Sequence, residues 1–216
     1  MGVVGRPVRR ATRSWLWAAC GLLLAGAGTA HAQAPPRVTS IVPAAVSAGV
    51  TIRITGSGFG ATPAANEVDF TPTSGSPVAG TVTAVSAPDA TGTLRRLSVR
   101  VPSGLPLGPA AITVRNTATN RSGGGASAEV VDLVAGTTAL HPGQALDIDL
   151  FLLGDAEFDP TANRVTLGAG IIVNRVTVAA SSRLVLSVTV APTAALGARS
   201  LGILTPVMTA VRADAL

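Results

Sequence analysis

The stretch Thr51–Phe70, TIRITGSGFGATPAANEVDF, decides the fold of this 216-residue chain. Its glycines fit the G-x-G-x-x-G/A pattern, with which a loop can hold the pyrophosphate of a dinucleotide. Such a site also needs a helix that begins at the loop and points its N-terminus at the phosphates. Here a short Pro-containing segment follows Ala61, and then the alternating pattern VDF (68–70) indicates a strand. We therefore predict that Phe59 folds back into a sandwich core, and that positive φ angles at the end of the strand are allowed by Gly56, Gly58 and Gly60.

Alternation of apolar and polar residues continues outward from this stretch. A period of two is typical of strands with one buried face, as in antiparallel sandwiches, and no helical stripe of useful length interrupts it. The mature chain is therefore predicted to be all-β. The alternating segments are Thr51–Thr55, Leu97–Val101, Ile112 with Val114, Ile148 with Leu150, Val165 with Leu167, and Leu184–Val190.

The chain also repeats itself. LSVRVPSGLPLGPAAITV, from Leu97, aligns without a gap on LSVTVAPTAALGARSLGI, from Leu186, and Asn66 and Asn163 each precede a short strand pattern. A repeat of about 90 residues has the size of an immunoglobulin-like sandwich. We predict two tandem sandwiches, at 33–134 and at 135–216 with a short C-terminal tail, divided near Ala135 after a loop NTATNRSGGGASA (116–128). The predicted cores are Ile52, Ile54, Phe59, Val99, Val101 and Ile112, and Leu150, Phe158, Leu186, Val188 and Leu201.

The first repeat resembles an IPT/TIG domain. The resemblance is carried by VTSIVPAAVSAGVTIRITGSGFG followed by VDF, and by VRVPSGLPLGPAAITVRN, and it covers residues 37–134. Residues 135–212 keep the same skeleton but have GDAEF in place of GSGF, so the resemblance makes them a divergent copy. It implies an immunoglobulin-like fold in both halves.

The N-terminal residues are typical of a cleaved signal peptide. An apolar run, Trp15–Ala30, is followed by the small residues of AHA (30–32), which predicts residues 1–32 as the signal and cleavage between Ala32 and Gln33. Alternatives are an uncleaved membrane anchor, a twin-arginine signal at Arg9-Arg10, or lipidation of Cys20. No membrane span is predicted after cleavage. The basic residues before the run are Arg6, Arg9, Arg10 and Arg13.

Removal of the signal changes the charge and the composition. The whole chain has a formal charge of +5, but four of its 16 Arg lie in the signal, which leaves 12 against 11 acidic residues. A net charge of +1 and an exported location argue against binding to nucleic acid. The only Cys and both Trp also leave with the signal, so the mature chain has no disulfide and no Trp or Tyr platform for sugars.

No catalytic, cofactor-binding or metal-binding residue is assigned from the sequence, and no cofactor is expected. His141 is the only mature histidine, and in LHPGQ it is predicted to lie in a surface turn. A group of carboxylates fits no calcium-loop spacing and is explained by solvated outward side chains, although a calcium site stays an alternative. These residues are Asp147, Asp149, Asp155, Glu157 and Asp159.

The predicted function is that of a non-enzymatic extracytoplasmic binding or spacer module. Sandwiches present loops on a rigid scaffold, and no catalytic set of residues remains after the signal is removed. The partner is an unknown protein or a cell-surface polymer, and the location is the periplasm, the cell surface or the medium. One alternative is an accessory part of an extracellular polymer-degrading system, which requires carboxylates such as Asp155, Glu157 and Asp159 to converge. Another is a structural component of an envelope assembly.

Overall fold

The computed structural model describes residues 1–2, 34–137, 139–159 and 163–216. The chain divides into two units, Met1–Ala32 and Gln33–Leu216, and the second is described below. Residues 3–32 of the predicted signal peptide, and Gln33, which follows its predicted cleavage position, lie outside the described residues. Within the described ranges, no helix is long and apolar enough to cross a membrane.

The described part of the second unit is built from strands and one three-residue 3-10 turn, Pro63–Ala65. The strands are β1 (Arg37–Val42), β2 (Ala45–Val46), β3 (Thr51–Ser57), β4 (Asn66–Pro72), β5 (Val78–Val85), β6 (Leu94–Arg100), β7 (Gly108–Asn116), β8 (Arg121–Val130), β9 (Asp132–Ala135), β10 (Ala145–Leu153), β11 (Arg164–Thr166), β12 (Ile171–Ala180), β13 (Arg183–Val190), β14 (Leu201–Leu204) and β15 (Met208–Arg212). The prediction of an all-β sandwich fold is confirmed.

The strands before Val131 pack around a first apolar cluster. One layer has the order β1-β3-β6-β5 and the other the order β5-β4-β7-β8, so β5 pairs with both layers. The alternation seen in the sequence sends one face of each strand inward, and the predicted core residues of this half are all buried. They are Ile52, Ile54, Phe59, Val99, Val101 and Ile112.

Strand β1 lies close to β8 and covers one side of the first cluster. A Cβ atom on Gly123 would come within 1.9 Å of the Pro36 carbonyl oxygen, and one on Gly125 within 2.8 Å of the Val38 carbonyl oxygen. Residues 116–128 were predicted to be a loop, and this prediction was wrong, because Arg121–Val130 form a ten-residue strand. The glycines occur here because the backbone of the preceding segment occupies the space of their side chains.

A second apolar cluster lies between the sheet β12-β13-β10-β9 and the strands β2-β15-β14-β11. Phe158 is 4% exposed, as predicted for the counterpart of Phe59. The other predicted core residues of this half are also buried: Leu150, Leu186, Val188 and Leu201. Val131 and Leu133 belong to this cluster as well.

The two clusters share strand β2. It pairs in parallel with β8 on one side and with β15 on the other, and its Val46 lies in the first cluster while its Ala45 lies in the second. Ser47 extends this junction, because its Oγ donates to the Val211 carbonyl and accepts from the Val211 N–H. The number of sandwiches and the division at 134/135 stay predictions.

Candidate functional site

The turn of the opening motif is stabilised by close backbone packing. Of Gly56, Gly58 and Gly60, only Gly58 has a positive φ, of 72°. The prediction was therefore too broad for Gly56 and Gly60, which are needed for space: a Cβ on Gly56 would lie 2.4 Å from the Phe59 ring, and one on Gly60 2.5 Å from the Ala65 Cβ. Phe59 is 3% exposed and packs back over Gly56, as predicted.

The dinucleotide interpretation does not fit this geometry. Only the 3-10 turn Pro63–Ala65 follows Gly60, and β4 begins at Asn66. A three-residue turn has no N-terminal dipole comparable to that of the helix in a dinucleotide fold. The glycine pattern is therefore a feature of strand and turn packing.

Two buried asparagines lock the turn. Asn66 Oδ1 accepts from the Gly60 N–H at 2.8 Å, and its Nδ2 donates to the carbonyls of Gly60 and Thr62 at 3.2 and 2.8 Å. Asn116 Nδ2 donates to the Gly58 carbonyl at 2.9 Å. Because these buried amides replace water as partners of the loop backbone, the turn is held in one conformation.

The loop between β5 and β6 lies at the same end of the molecule. The Asp89 carboxylate accepts hydrogen bonds from the Thr91 hydroxyl at 2.7 Å, the Thr93 N–H at 3.2 Å and the Leu94 N–H at 3.1 Å. The hydrogen bond from Thr91, followed by those from the loop backbone, lowers the pKa of Asp89 below its ordinary value of 3.8. Asp89 is therefore the charged centre around which this loop is folded.

A cleft of about 460 Å³ lies where these loops meet. Its volume is in the range of small-ligand sites, roughly 300–1,000 Å³. Its walls come from the glycine turn, from the end of the β5–β6 loop and from the turn after β7. The lining residues are Gly58–Thr62, Ala65, Gly92, Thr93, Arg95, Asn116 and Ala118.

Arg95 is the charged side chain of this cleft. It lies opposite Gly56 in the β3–β6 pairing and on the same strand face as the buried Leu97, since alternate residues of a strand share a face. It is half-buried, and its Nη1 donates to the Ser86 carbonyl at 3.2 Å. Among the described residues it forms no ion pair, in contrast to Arg115, which pairs with Glu67 at 2.7 Å.

The strand ends around the cleft carry an excess of positive charge. The pairings place five arginines and two carboxylates at this end of the first cluster. The arginines are Arg37, Arg95, Arg96, Arg115 and Arg121, and the carboxylates are Glu67 and Asp89. The hydrogen bond from Arg115 lowers the pKa of Glu67, so both carboxylates have a pKa below its ordinary value and are ionised at neutral pH.

The residues that the sequence singled out lie elsewhere. His141 is in an exposed turn, as predicted, where its N–H donates to Gln144 Oε1 at 3.2 Å. The side chains of Asp147, Asp155 and Glu157 are exposed. Asp149 accepts two hydrogen bonds from the Arg183 guanidinium, at 2.8 and 3.0 Å. Within the described ranges, no group of three or more His, Cys, Asp or Glu residues could hold a metal ion.

Sequence reasoning missed the cleft and its arginine. Arg95 and Arg96 are adjacent in the chain, and the structure places Arg95 on the strand face of the buried Leu97. A weak signal was present, because in LRRLSV (94–99) Arg95 has the same parity as the core residues Leu97 and Val99. A charged residue in phase with a buried face indicates a strand end that opens to solvent.

Comparisons with known proteins show no family for this chain. No family model matches the chain, and no curated protein sequence matches it. Among solved structures, it is similar to the mixed-linkage glucan utilization locus protein SGBP-B of Bacteroides ovatus, solved with a mixed-linkage heptasaccharide (16% identity, TM-score 0.34, 81% of this chain and 41% of that chain). It is also similar to a structural genomics protein of unknown function from Bacteroides thetaiotaomicron (14% identity, TM-score 0.38, 79% and 46%). The chain thus spans less than half the length of either protein.

Proposed function

We propose that the mature chain is a non-enzymatic extracytoplasmic binding module whose site is the cleft between the glycine turn and the β5–β6 loop. The observation that supports this proposal is that hydrogen bonds within the protein hold the loops of the cleft in place. Its loops are fixed by the buried Asn66 and Asn116 and by the Asp89 carboxylate, so its shape exists before a partner arrives. A preformed site loses little conformational entropy on binding.

The composition of the cleft favours binding over catalysis. Its lining contains one charged group, Arg95, and neither a carboxylate nor a histidine. Hydrolysis of a glycosidic polymer by the usual mechanism needs a pair of acidic side chains, with one on each side of the scissile bond. An accessory role in polymer degradation would require carboxylates such as Asp155, Glu157 and Asp159. Asp155 and Glu157 are exposed, Asp159 is partly buried, and all three belong to the other half of the chain.

Export is part of the same proposal. The signal peptide (1–32), the cleavage before Gln33 and the IPT/TIG character of residues 37–134 stay predictions. N-terminal sequencing of the protein recovered from outside the cytoplasm tests the first two. An N-terminus at Met1, or a lipid on Cys20, would contradict them.

A cleft-filling variant tests the binding site. Ala61 lines the cleft and is exposed, so Ala61→Trp fills the space without disturbing the core. Ala111→Trp is the matched control, because Ala111 is exposed on β7 and does not line the cleft. We expect partners captured from a panel of envelope proteins and surface polymers to be lost with Ala61→Trp and retained with Ala111→Trp. Equal capture by both variants would place the binding surface elsewhere.

A further inference from the structure

We infer that the cleft selects an acidic polysaccharide, and that Arg95 binds a carboxylate of its sugar units. This inference rests on the proposed binding function of the same cleft and adds the chemical class of the ligand. Arginine is suited to the role because its planar guanidinium matches a carboxylate with two parallel hydrogen bonds.

The first argument is the state of Arg95. Within the part of the chain that the structure describes, its guanidinium makes one hydrogen bond, to the Ser86 carbonyl, and no ion pair. That bond anchors the side chain in the wall of the cleft and leaves its other N–H donors for a ligand. A half-buried cation that already has a fixed position is a stronger anion site than a flexible surface side chain.

The second argument is the field around the cleft. Arg37, Arg96 and Arg121 lie at the same strand ends, and the two carboxylates there are engaged with other groups. Glu67 is bound by Arg115, and Asp89 by its own loop. An acidic chain is therefore attracted along its length, whereas a neutral chain gains nothing from these arginines.

The third argument separates a polysaccharide from an acidic protein. Protein interfaces depend on large apolar or aromatic anchors at their centre. None of the exposed large apolar side chains of the described residues lines the cleft, and the ring of Phe59 is buried beneath it. Apart from Phe59, its lining consists of small residues, two threonines, Asn116 and Arg95, and these polar side chains suit a chain rich in hydroxyl groups.

The absence of an aromatic platform points in the same direction. Neutral sugars are commonly held by stacking on Trp or Tyr, and residues 33–216 contain neither. The affinity of this cleft must then come from charge-assisted hydrogen bonds, which need a charged sugar.

The experiment measures binding of the mature protein to polygalacturonate, to neutral dextran and to poly-glutamate by affinity electrophoresis and titration calorimetry. We expect polygalacturonate to bind, dextran and poly-glutamate to bind at least tenfold more weakly, and affinity to fall with added salt. Arg95→Gln should weaken polygalacturonate binding about tenfold or more, since it removes the charge-assisted hydrogen bonds to the ligand carboxylate. Arg175→Gln, which removes an exposed arginine of β12 outside the cleft, is the charge-matched control and should change the affinity by less than about twofold.

The outcomes distinguish this inference from the proposed function. Equal losses with Arg95→Gln and Arg175→Gln, or dextran or poly-glutamate bound as tightly as polygalacturonate, would overturn the inference. If another partner is lost with Ala61→Trp but is insensitive to Arg95→Gln, the proposed cleft stands and the acidic ligand is wrong. If polygalacturonate binding is insensitive to Ala61→Trp, the cleft itself is wrong. Arg95→Lys keeps the positive charge but cannot form two parallel hydrogen bonds, so it should bind polygalacturonate with an affinity between those of the unchanged protein and of Arg95→Gln. An unchanged melting temperature of Arg95→Gln would establish that this variant is folded.

Discussion

Asn66 is the side chain on which the glycine turn depends most directly. It is 5% exposed, and its side-chain amide makes three hydrogen bonds to the backbone of Gly60 and Thr62. Asn163 has the equivalent position in the second half, where its Nδ2 donates to the Asp159 carbonyl. In each half, therefore, an Asn side chain hydrogen-bonds to the backbone of the turn that follows the buried Phe, Phe59 or Phe158. This is a physical reason why Asn precedes a short strand in both repeats.

Asn66→Ala should lower the free energy of unfolding by about 1–3 kcal/mol, because it leaves buried backbone groups without partners. Asn174→Ala is the control: Asn174 is exposed, and within the described ranges its side chain bonds only to the Thr189 hydroxyl, so its loss should cost less than about 0.5 kcal/mol. Urea denaturation followed by far-UV circular dichroism measures both. Equal effects would mean that the turn is not fixed by this amide.

Phe59→Ala tests how much the aromatic ring of the same turn contributes to stability. Truncation of a buried aromatic residue costs about 3–5 kcal/mol, and Phe59 is 3% exposed in the first cluster. Phe151→Ala, at a residue that is 37% exposed, should cost clearly less in the same denaturation experiment. A loss at Phe59 no larger than at Phe151 would contradict the packing of the ring between the layers.

Asp89 makes the loop beside the cleft sensitive to acid. Its pKa is lowered in the folded state, so its contribution to stability is complete above its unfolded value and is lost as the pH falls through the lowered folded value. We expect the protection of the Thr93 and Leu94 amide protons from hydrogen exchange to fall in that acid window. In Asp89→Ala the protection should be low at every pH, and a wild-type protection factor that does not change with acid would refute the role of the carboxylate.

At the scale of elements, the position of β8 depends on the segment before β1, which packs against it. A Cβ on Gly123 would lie 1.9 Å from the Pro36 carbonyl oxygen, so Gly123→Ala must displace either β8 or the segment before β1. We expect a loss of about 1–3 kcal/mol, as for other overpacking substitutions. Ser122→Ala, at the exposed neighbouring residue, should be nearly neutral in the same thermal denaturation, and equal melting temperatures of the two variants would contradict this packing.

Elements with a strict alternation could be predicted from the sequence, and elements held by distant partners could not. Leu97, Val99, Leu186 and Val188 follow the period of two, and all are buried as predicted. The glycine run of β8 has no strand propensity of its own, because its conformation is set by pairing with β7 and by the close approach of the N-terminal segment. Strand β2 has two residues, and its partners are more than 80 residues away along the chain.

At the scale of the whole molecule, the net charge concealed the candidate site. Residues 34–130 contain seven Arg and four acidic residues, whereas residues 131–216 contain five Arg and seven acidic residues. The balance of +1 for residues 34–216 is the sum of these opposite excesses. This balance carried no information about the strand ends around Arg95.

The junction at β2 predicts that the two clusters unfold together. β2 completes a continuous set of hydrogen bonds from β8 to β15, and the Ser47 hydroxyl next to β2 binds the Val211 backbone of β15. Loss of either cluster therefore removes partners from the other, and such coupling favours a single unfolding transition.

Hydrogen exchange should give the amides of β3 and β13 the same free energy of opening and the same dependence on denaturant. Ser47→Ala, which leaves the Val211 N–H and carbonyl without that partner, should separate the two values, with β13 and β15 opening at lower denaturant than β3. Two distinct transitions in the unchanged protein would instead mean that the halves are independent domains joined by a passive strand.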